Sequence, residues 1–233
     1  MSAIGRGLVF THMVPIAPSV TRSSCSARTP RWGRALFVGP AVLVLGCMAA
    51  YGLARFRFPG RQAVAYTTLL LRTVPLAVMA IPVFMIWNQW GMVNSLWGLV
   101  LLYVAVNLPF TIWLLYGFVL QVPIELEEAA ALDGAGPLRI FTMVLLPLMA
   151  PGLAAASIFT FRIAWNEFIL ALVLTDRHTR TLPVAASLFI TDMGVDWGRL
   201  MAMGSLIAIP PLIFTFVAAR QITTGLTAGA VKG

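Results

Sequence analysis

Glu125, Glu127, Glu128 and Asp133 crowd into one short stretch, Pro123 to Gly134, whose other residues are almost all alanine, leucine and isoleucine. They are half of the chain's eight acidic residues, and they sit between two long apolar runs. The remaining reactive side chains do not gather around them. His12 and His178 lie outside every apolar run, and no His/Asp or Ser/His constellation of a membrane enzyme is formed. Cys25 and Cys47 are too few and too badly placed for a disulfide framework or a metal site, and Cys47 reads as a small buried hydrophobe. No Gly-x-x-x-x-Gly-Lys-Ser/Thr loop is present to cradle a nucleotide. The chemistry on offer is recognition: an acidic helix docking onto a soluble partner. No catalytic residue, metal or cofactor is expected in the chain itself.

The elements that must hold this segment are membrane spans. Of 233 residues, 60% are hydrophobic and 10% charged, and the mean hydropathy is +0.90. Soluble domains carry about 25% charged residues, so this is an integral membrane protein. The formal charge of +8 comes from scattered arginines in apolar sequence, which fits flanks beside anionic lipid and not a nucleic-acid surface. Five stretches are long and apolar enough to cross about 30 Å of hydrocarbon. They run from about Ala35 to Ala54, Ala63 to Trp87 (with Arg72, Pro75 and Pro82), Leu96 to Leu120 (with Pro109), Met143 to Leu174, and Leu200 to Ala219 (with Pro210 and Pro211). Pro147 and Pro151 place the start of the fourth crossing near Gly152, with the preceding residues along the membrane surface. The prolines predict kinks whose freed carbonyls find partners in neighbouring helices. Gly46, Ala49, Ala50 and Ala54 predict a face that another helix approaches closely. The expected fold class is thus an all-α polytopic membrane protein with five transmembrane helices.

Residues 1–34, rich in Arg, Ser and Pro, read as a poorly ordered leader, and residues 35–233 as one transmembrane domain with a loop at about 121–142. Basic residues bear on orientation. If the 55–62 loop is cytoplasmic, its side carries Arg55, Arg57, Arg61, Arg139, Arg220 and Lys232. The opposite side carries Arg177, Arg180 and Arg199, together with the leader's five arginines. Without the leader the rule favours this orientation; with it, the rule opposes it.

The acidic segment reads as a helix of two to three turns. Pro123 suits a first turn, carboxylates near an N-terminus are favoured by about 0.3–1 kcal/mol each, and the alanines and Leu132 supply propensity. Gly134 and Gly136 end it, with Pro137 as a stop. A helix lying on the bilayer is the alternative, but anionic headgroups would repel its carboxylates.

Glu128-Ala129-Ala130-Ala131-Leu132-Asp133-Gly134-Ala135, followed by Leu146-Pro147 and Pro151, resembles the cytoplasmic loop motif of ATP-binding-cassette importer permeases. Trp165-Asn166-Glu167-Phe168, Thr181-Leu182-Pro183, the Ala50–Arg61 stretch and the C-terminal Gly225–Gly233 continue the likeness. Together they resemble the second permease subunit of maltose-type carbohydrate importers, with its MetI-like core, over roughly residues 35–233. The resemblance implies a coupling helix seated in a groove of an ATP-binding subunit. Glu125, Glu128, Ala129, Ala130, Leu132, Asp133 and Gly134 would form it. It also implies the partners: ATP-binding-cassette ATPase subunits that use ATP and Mg, a second homologous permease, an extracytoplasmic sugar-binding protein and membrane lipid, in the bacterial cytoplasmic (inner) membrane. Relatives usually have one more span before Ala35, so a truncated or mis-started frame and a native five-span variant both stay open. A self-sufficient secondary transporter and a truncated, inactive permease are the alternative functions.

Polar side chains inside spans are candidates for a solute path. Asn107, Trp165, Asn166 and Glu167 are the main ones, with Asn88, Ser157 and Thr160 beside them. A tryptophan face next to hydrogen-bonding groups suits a sugar. The structural alternative is that Trp87 and Trp165 anchor at the interface while Asn166 and Glu167 hold helices together or end the span. Arg72 and Arg162 cost about 2.5–3.5 kcal/mol in lipid unless partnered, and their partners are expected on other helices.

Overall fold

The computed structural model describes the backbone of residues 33–230 and the side chains of residues 38–219. All but the last two residues of the expected leader lie outside that range. The described residues fall within one compact unit.

Three helices form the centre: α1 (Gly33–Arg55), α4 (Leu96–Gln121) and α8 (Ala150–Asn166). Cys47, Ala50 and Ala54 of α1 bury themselves against Leu115 and Val119 of α4 and Ala156 of α8. The small-residue face expected on α1 is what permits this. A Cβ placed on Gly46 would stand 2.8 Å from the Thr111 methyl, so only glycine lets the two helices meet there.

Between α1 and α4 the expected single span is broken in two. α2 (Arg61–Leu71) and α3 (Leu76–Gln89) meet at 98°, where a kink was expected. Pro75 lacks an N–H and disfavours helical backbone in the residue before it, and the turn at Arg72–Val74 results. Trp87 of α3 is buried, and its indole donates to the Gly98 carbonyl at 2.9 Å in the first turn of α4.

After α4 come α5 (Ile124–Leu132) and α6 (Pro137–Ile140), a π-helical turn over Phe141–Leu145, and α7 (Leu146–Leu148). Pro137 therefore opens a new helix as well as stopping the last. The segment Pro137–Leu148 meets α8 at 77°, and α8 begins at Ala150, within two residues of the expected Gly152. It ends earlier than expected, at Asn166, and α9 (Ile169–Leu174) is a separate helix. The Glu167 carboxylate causes the break by accepting the Leu170 and Ala171 N–H groups at 2.8 and 3.0 Å, which satisfies the new helix's N-terminal donors.

The polar 175–199 loop holds α10 (Leu182–Ala186) and a two-residue hairpin of β1 (Ile190–Thr191) and β2 (Gly194–Val195). At its start Asp176 accepts the His178 N–H at 2.8 Å. That bond, ahead of the Thr179 contacts, holds its carboxyl below the usual range. His178 itself is exposed. α11 (Trp197–Ala230) then runs well past the expected end at Ala219. Its Pro211 leaves the Ile207 carbonyl without an intrahelical donor, and the Trp165 indole N–H of α8 fills the vacancy at 3.0 Å.

Val38–Arg55, Leu96–Gln121 and Trp197–Ala219 are each long and apolar enough to cross a membrane, and the two bent pairs bring the total to five if each counts as one crossing. The chain is an all-α polytopic membrane protein.

Candidate functional site

The acidic segment folds as read from the sequence, with Pro123 as the residue before α5 and Glu125 and Glu127 in its first turn. Its end is a two-bond glycine cap. Gly134 takes φ +80°, the Gly134 N–H donates to Ala131 and the Ala135 N–H reaches back to Ala130, both at 3.0 Å. Left-handed backbone of this kind costs a non-glycine residue about 1–2 kcal/mol.

α5 is uncovered on nearly every side, with aliphatic and acidic side chains interleaved around it. Ile124, Leu126 and Leu132 are exposed, Leu132 at 90%. Glu125, Glu128, Ala129, Ala131, Asp133 and Gly134 are exposed beside them, and Ala130 is half-buried. Leu138 and Met143, in the segment that follows, are exposed as well. Large aliphatic groups left uncovered mark a surface that contacts a partner or lipid.

One carboxylate points the other way. Glu127 is the single buried residue of α5. Its Oε1 lies 2.7 Å from Arg55 Nε, and its Oε2 accepts the Tyr51 hydroxyl at 3.2 Å. Arg55 Nη2 also donates to the Val122 carbonyl at 2.8 Å, at the end of α4. Sequence reasoning placed Glu127 only as a favourable first-turn charge. The residues it meets are 72 and 76 positions away, beyond the reach of any local pattern.

Some of the polar residues expected inside the spans lie where α4 meets α8 and the residue that follows it. Tyr103 donates to Glu167 at 2.8 Å, Asn107 donates to the Tyr103 carbonyl at 2.7 Å, and the Thr111 and Thr160 hydroxyls meet at 3.1 Å. Asn107 is 3% exposed and its Oδ1 finds no partner among the described residues. Ser157 donates to the Ala154 carbonyl of its own helix. Trp165 stacks on Phe161 while serving Ile207. Asn166 and Asn88 are exposed. Arg72 sits 4.8 Å from the Phe110 ring centroid on α4, so the partner it finds on another helix is an aromatic face and not a carboxylate. Arg162 is exposed. Among the described residues no cluster of His, Cys, Asp and Glu is placed to hold a metal.

Residues 42–226 match the family model of binding-protein-dependent transport system inner membrane components. The chain belongs to that family. This permease is 45% identical to the diacetylchitobiose uptake system permease protein DasC of Streptomyces coelicolor, over 82% of its own length and 70% of that protein. It is 39% identical to the trehalose transport system permease protein SugB of Mycobacterium tuberculosis, over 86% and 74%. The trehalose/maltose transport system permease protein MalG of Thermococcus litoralis is 37% identical, over 81% and 69%. Among solved structures, an inward-facing MetNI methionine transporter superposes with a TM-score of 0.69 at 18% identity, over 84% of this chain and 92% of that one. A bacterial importer of alginate superposes at 0.58 and 21%, over 87% and 73%. At those identities the superpositions establish the fold. The protein is a membrane-spanning permease subunit of a binding-protein-dependent importer, multi-pass in the cytoplasmic membrane, and its relatives are transporter subunits and not enzymes.

Proposed function

We propose that this permease carries a sugar, and that α5 is the surface on which an ATP-binding subunit seats. The observation that carries the second statement is how little of α5 is covered: Ile124, Leu126 and Leu132 are exposed among Glu125, Glu128 and Asp133. A nine-residue helix is too short to persist in water alone, and this one has a single buried side chain on the protein it belongs to. A basic groove that covers the leucines would complete it. Relatives named for diacetylchitobiose, trehalose and maltose support a small oligosaccharide as solute.

ATP and Mg act in the seated subunit, whose closure α5 transmits to the spans as they alternate access. A second permease, an extracytoplasmic binding protein and surrounding lipid complete the assembly, with residues 35–233 as the transmembrane domain. For the solute path, Asn107, Trp165, Asn166 and Glu167 are the candidates. Asn166 is the exposed one, Trp165 and Glu167 are committed to internal hydrogen bonds, and Asn107 commits its amide N–H but not its Oδ1.

Purification of the tagged chain from native membranes, with its partners identified by mass spectrometry, tests the reading. An ATP-binding subunit and a second permease are expected with the unmodified chain. The ATP-binding subunit is expected to be lost with Leu132→Asp, which alters a side chain that touches almost nothing else in the fold. Recovery of a stable chain by itself would refute the importer assembly and favour a self-sufficient secondary transporter.

A further inference from the structure

We propose that the Arg55–Glu127 ion pair is the strut that makes α5 and α1 move as one body, so that displacement of α5 is delivered to the first span and not absorbed by the loop. The inference rests on the function proposed above, with α5 as the seat of an ATP-binding subunit.

Besides that pair, α5 packs mainly against the segment that follows it, α6 and the π-helical turn. Covalently it hangs between Pro123, whose extended backbone follows the end of α4, and Gly134, whose left-handed turn relies on a residue with unusual backbone freedom. Gly134 is free to turn, whereas Pro123, its φ fixed by the ring, can turn only about ψ. Of its side chains only Glu127 is buried. A load applied to the outer face of α5 therefore passes inward through that carboxylate, or it twists the loop.

The inner end of the strut is built to receive a load. Tyr51 and Arg55 are four residues apart on α1 and share one face of its last turn. From there they reach three separate segments. Arg55 meets Glu127 on α5 and the Val122 carbonyl at the end of α4. Tyr51 meets the other oxygen of Glu127, and its ring lies 5.3 Å from that of Phe141 in the π-helical turn on the far flank of the loop. The last turn of α1 is thus bonded to the helix and packed against both flanks. Behind it, Cys47, Ala50 and Ala54 lie in the central core, so α1 cannot tilt without moving α4 and α8. The pair is 13% and 9% exposed, which shields it from the screening that weakens surface pairs.

A merely stabilising contact and a transmitting one differ in what their loss does. Loss of a strut leaves the ATP-binding subunit docked and turning over while transport fails. The assembled importer is reconstituted into proteoliposomes with its loaded binding protein, and solute uptake is divided by ATP hydrolysed. For Arg55→Glu and Glu127→Arg we expect an intact complex whose uptake per ATP falls about tenfold, within the usual range of coupling between sites. The double swap, Arg55→Glu with Glu127→Arg, restores a large part of the ratio because the pair re-forms with reversed sign. Assembled single variants with the wild-type ratio would overturn the proposal, and so would a swap no better than either single.

If the reversals fail to assemble, Arg55→Lys and Tyr51→Phe read the same ratio. Arg55→Lys keeps the charge but drops the second arm to Val122, and Tyr51→Phe removes one bond to Glu127. A lowered ratio in Arg55→Lys supports the strut, and normal ratios in both refute it. Absence of any ATP-binding subunit from the unmodified chain's complex would instead refute the importer reading itself.

Discussion

Trp165→Phe, combined with Pro211→Ala, separates two roles that the same tryptophan could serve. Trp165 donates its indole N–H to the Ile207 carbonyl at 3.0 Å, the carbonyl that Pro211 deprives of its helical partner. Phenylalanine keeps a ring against Phe161, whose centroid is 5.5 Å away at an interplanar angle of 26°, and it removes only the donor and part of the ring area. Hydrogen bonds between membrane helices average about 0.6 kcal/mol and reach about 1.7. A carbonyl left with no donor belongs at the upper end of that range. Trp165→Phe should therefore destabilise the assembled protein by about 1–2 kcal/mol. Pro211→Ala returns an N–H to Ile207, so in that background the same change should cost little beyond the lost ring contact. The assay is a double-mutant cycle on reversible unfolding of the reconstituted complex, with the transport KM measured in parallel. A coupling energy near 1 kcal/mol with KM within about twofold of wild type supports the carbonyl role. Additive penalties, or a KM raised about tenfold at unchanged stability, would refute it and assign Trp165 to the solute path.

Gly134→Val should cost about 1–2 kcal/mol in backbone strain at φ +80° and lower co-purification of the ATP-binding subunit, while Gly134→Asn, which tolerates left-handed backbone, is milder. Gly46→Leu should abolish recovery of monodisperse protein, because even its Cβ would stand 2.8 Å from the Thr111 methyl; normal recovery would show that α1 and α4 are not in the contact described. Glu167→Gln replaces one of two accepting oxygens with a donor facing an N–H or hydroxyl. It should destabilise by about 1–3 kcal/mol in the same unfolding assay, and wild-type stability would dismiss its role as the cap of α9.

Much of the fold was legible in composition and length. α4 was expected at Leu96–Leu120 and spans Leu96–Gln121, since an unbroken apolar run of that length has only one use. α5 was legible for a different reason. Pro123, the first-turn carboxylates, the alanines and Gly134 all act within one or two turns, so local chemistry decides start, body and end. The bend between α2 and α3 was under-read, because a proline announces a break without specifying its angle. The end of α8 at Asn166 was legible only as an alternative, in which Asn166 and Glu167 end the span, because it depends on Glu167 turning its carboxylate onto Leu170 and Ala171 while Tyr103 holds it from another helix.

The outward side of the candidate site was readable for the same local reasons, and its inward side was not. Sequence alone determined that this is a multi-pass helical membrane protein with an acidic, glycine-ended helix between two spans, because hydropathy, propensity and capping are properties of neighbouring residues. Only the tertiary structure decided which of four nearby carboxylates faces the protein. Glu127 is singled out by Arg55, 72 residues earlier, and Glu167 by Tyr103, 64 residues earlier. Which helices lie close enough for such pairs to close depends on the packing of small residues such as Gly46 and Ala50, and packing is a property of the whole chain.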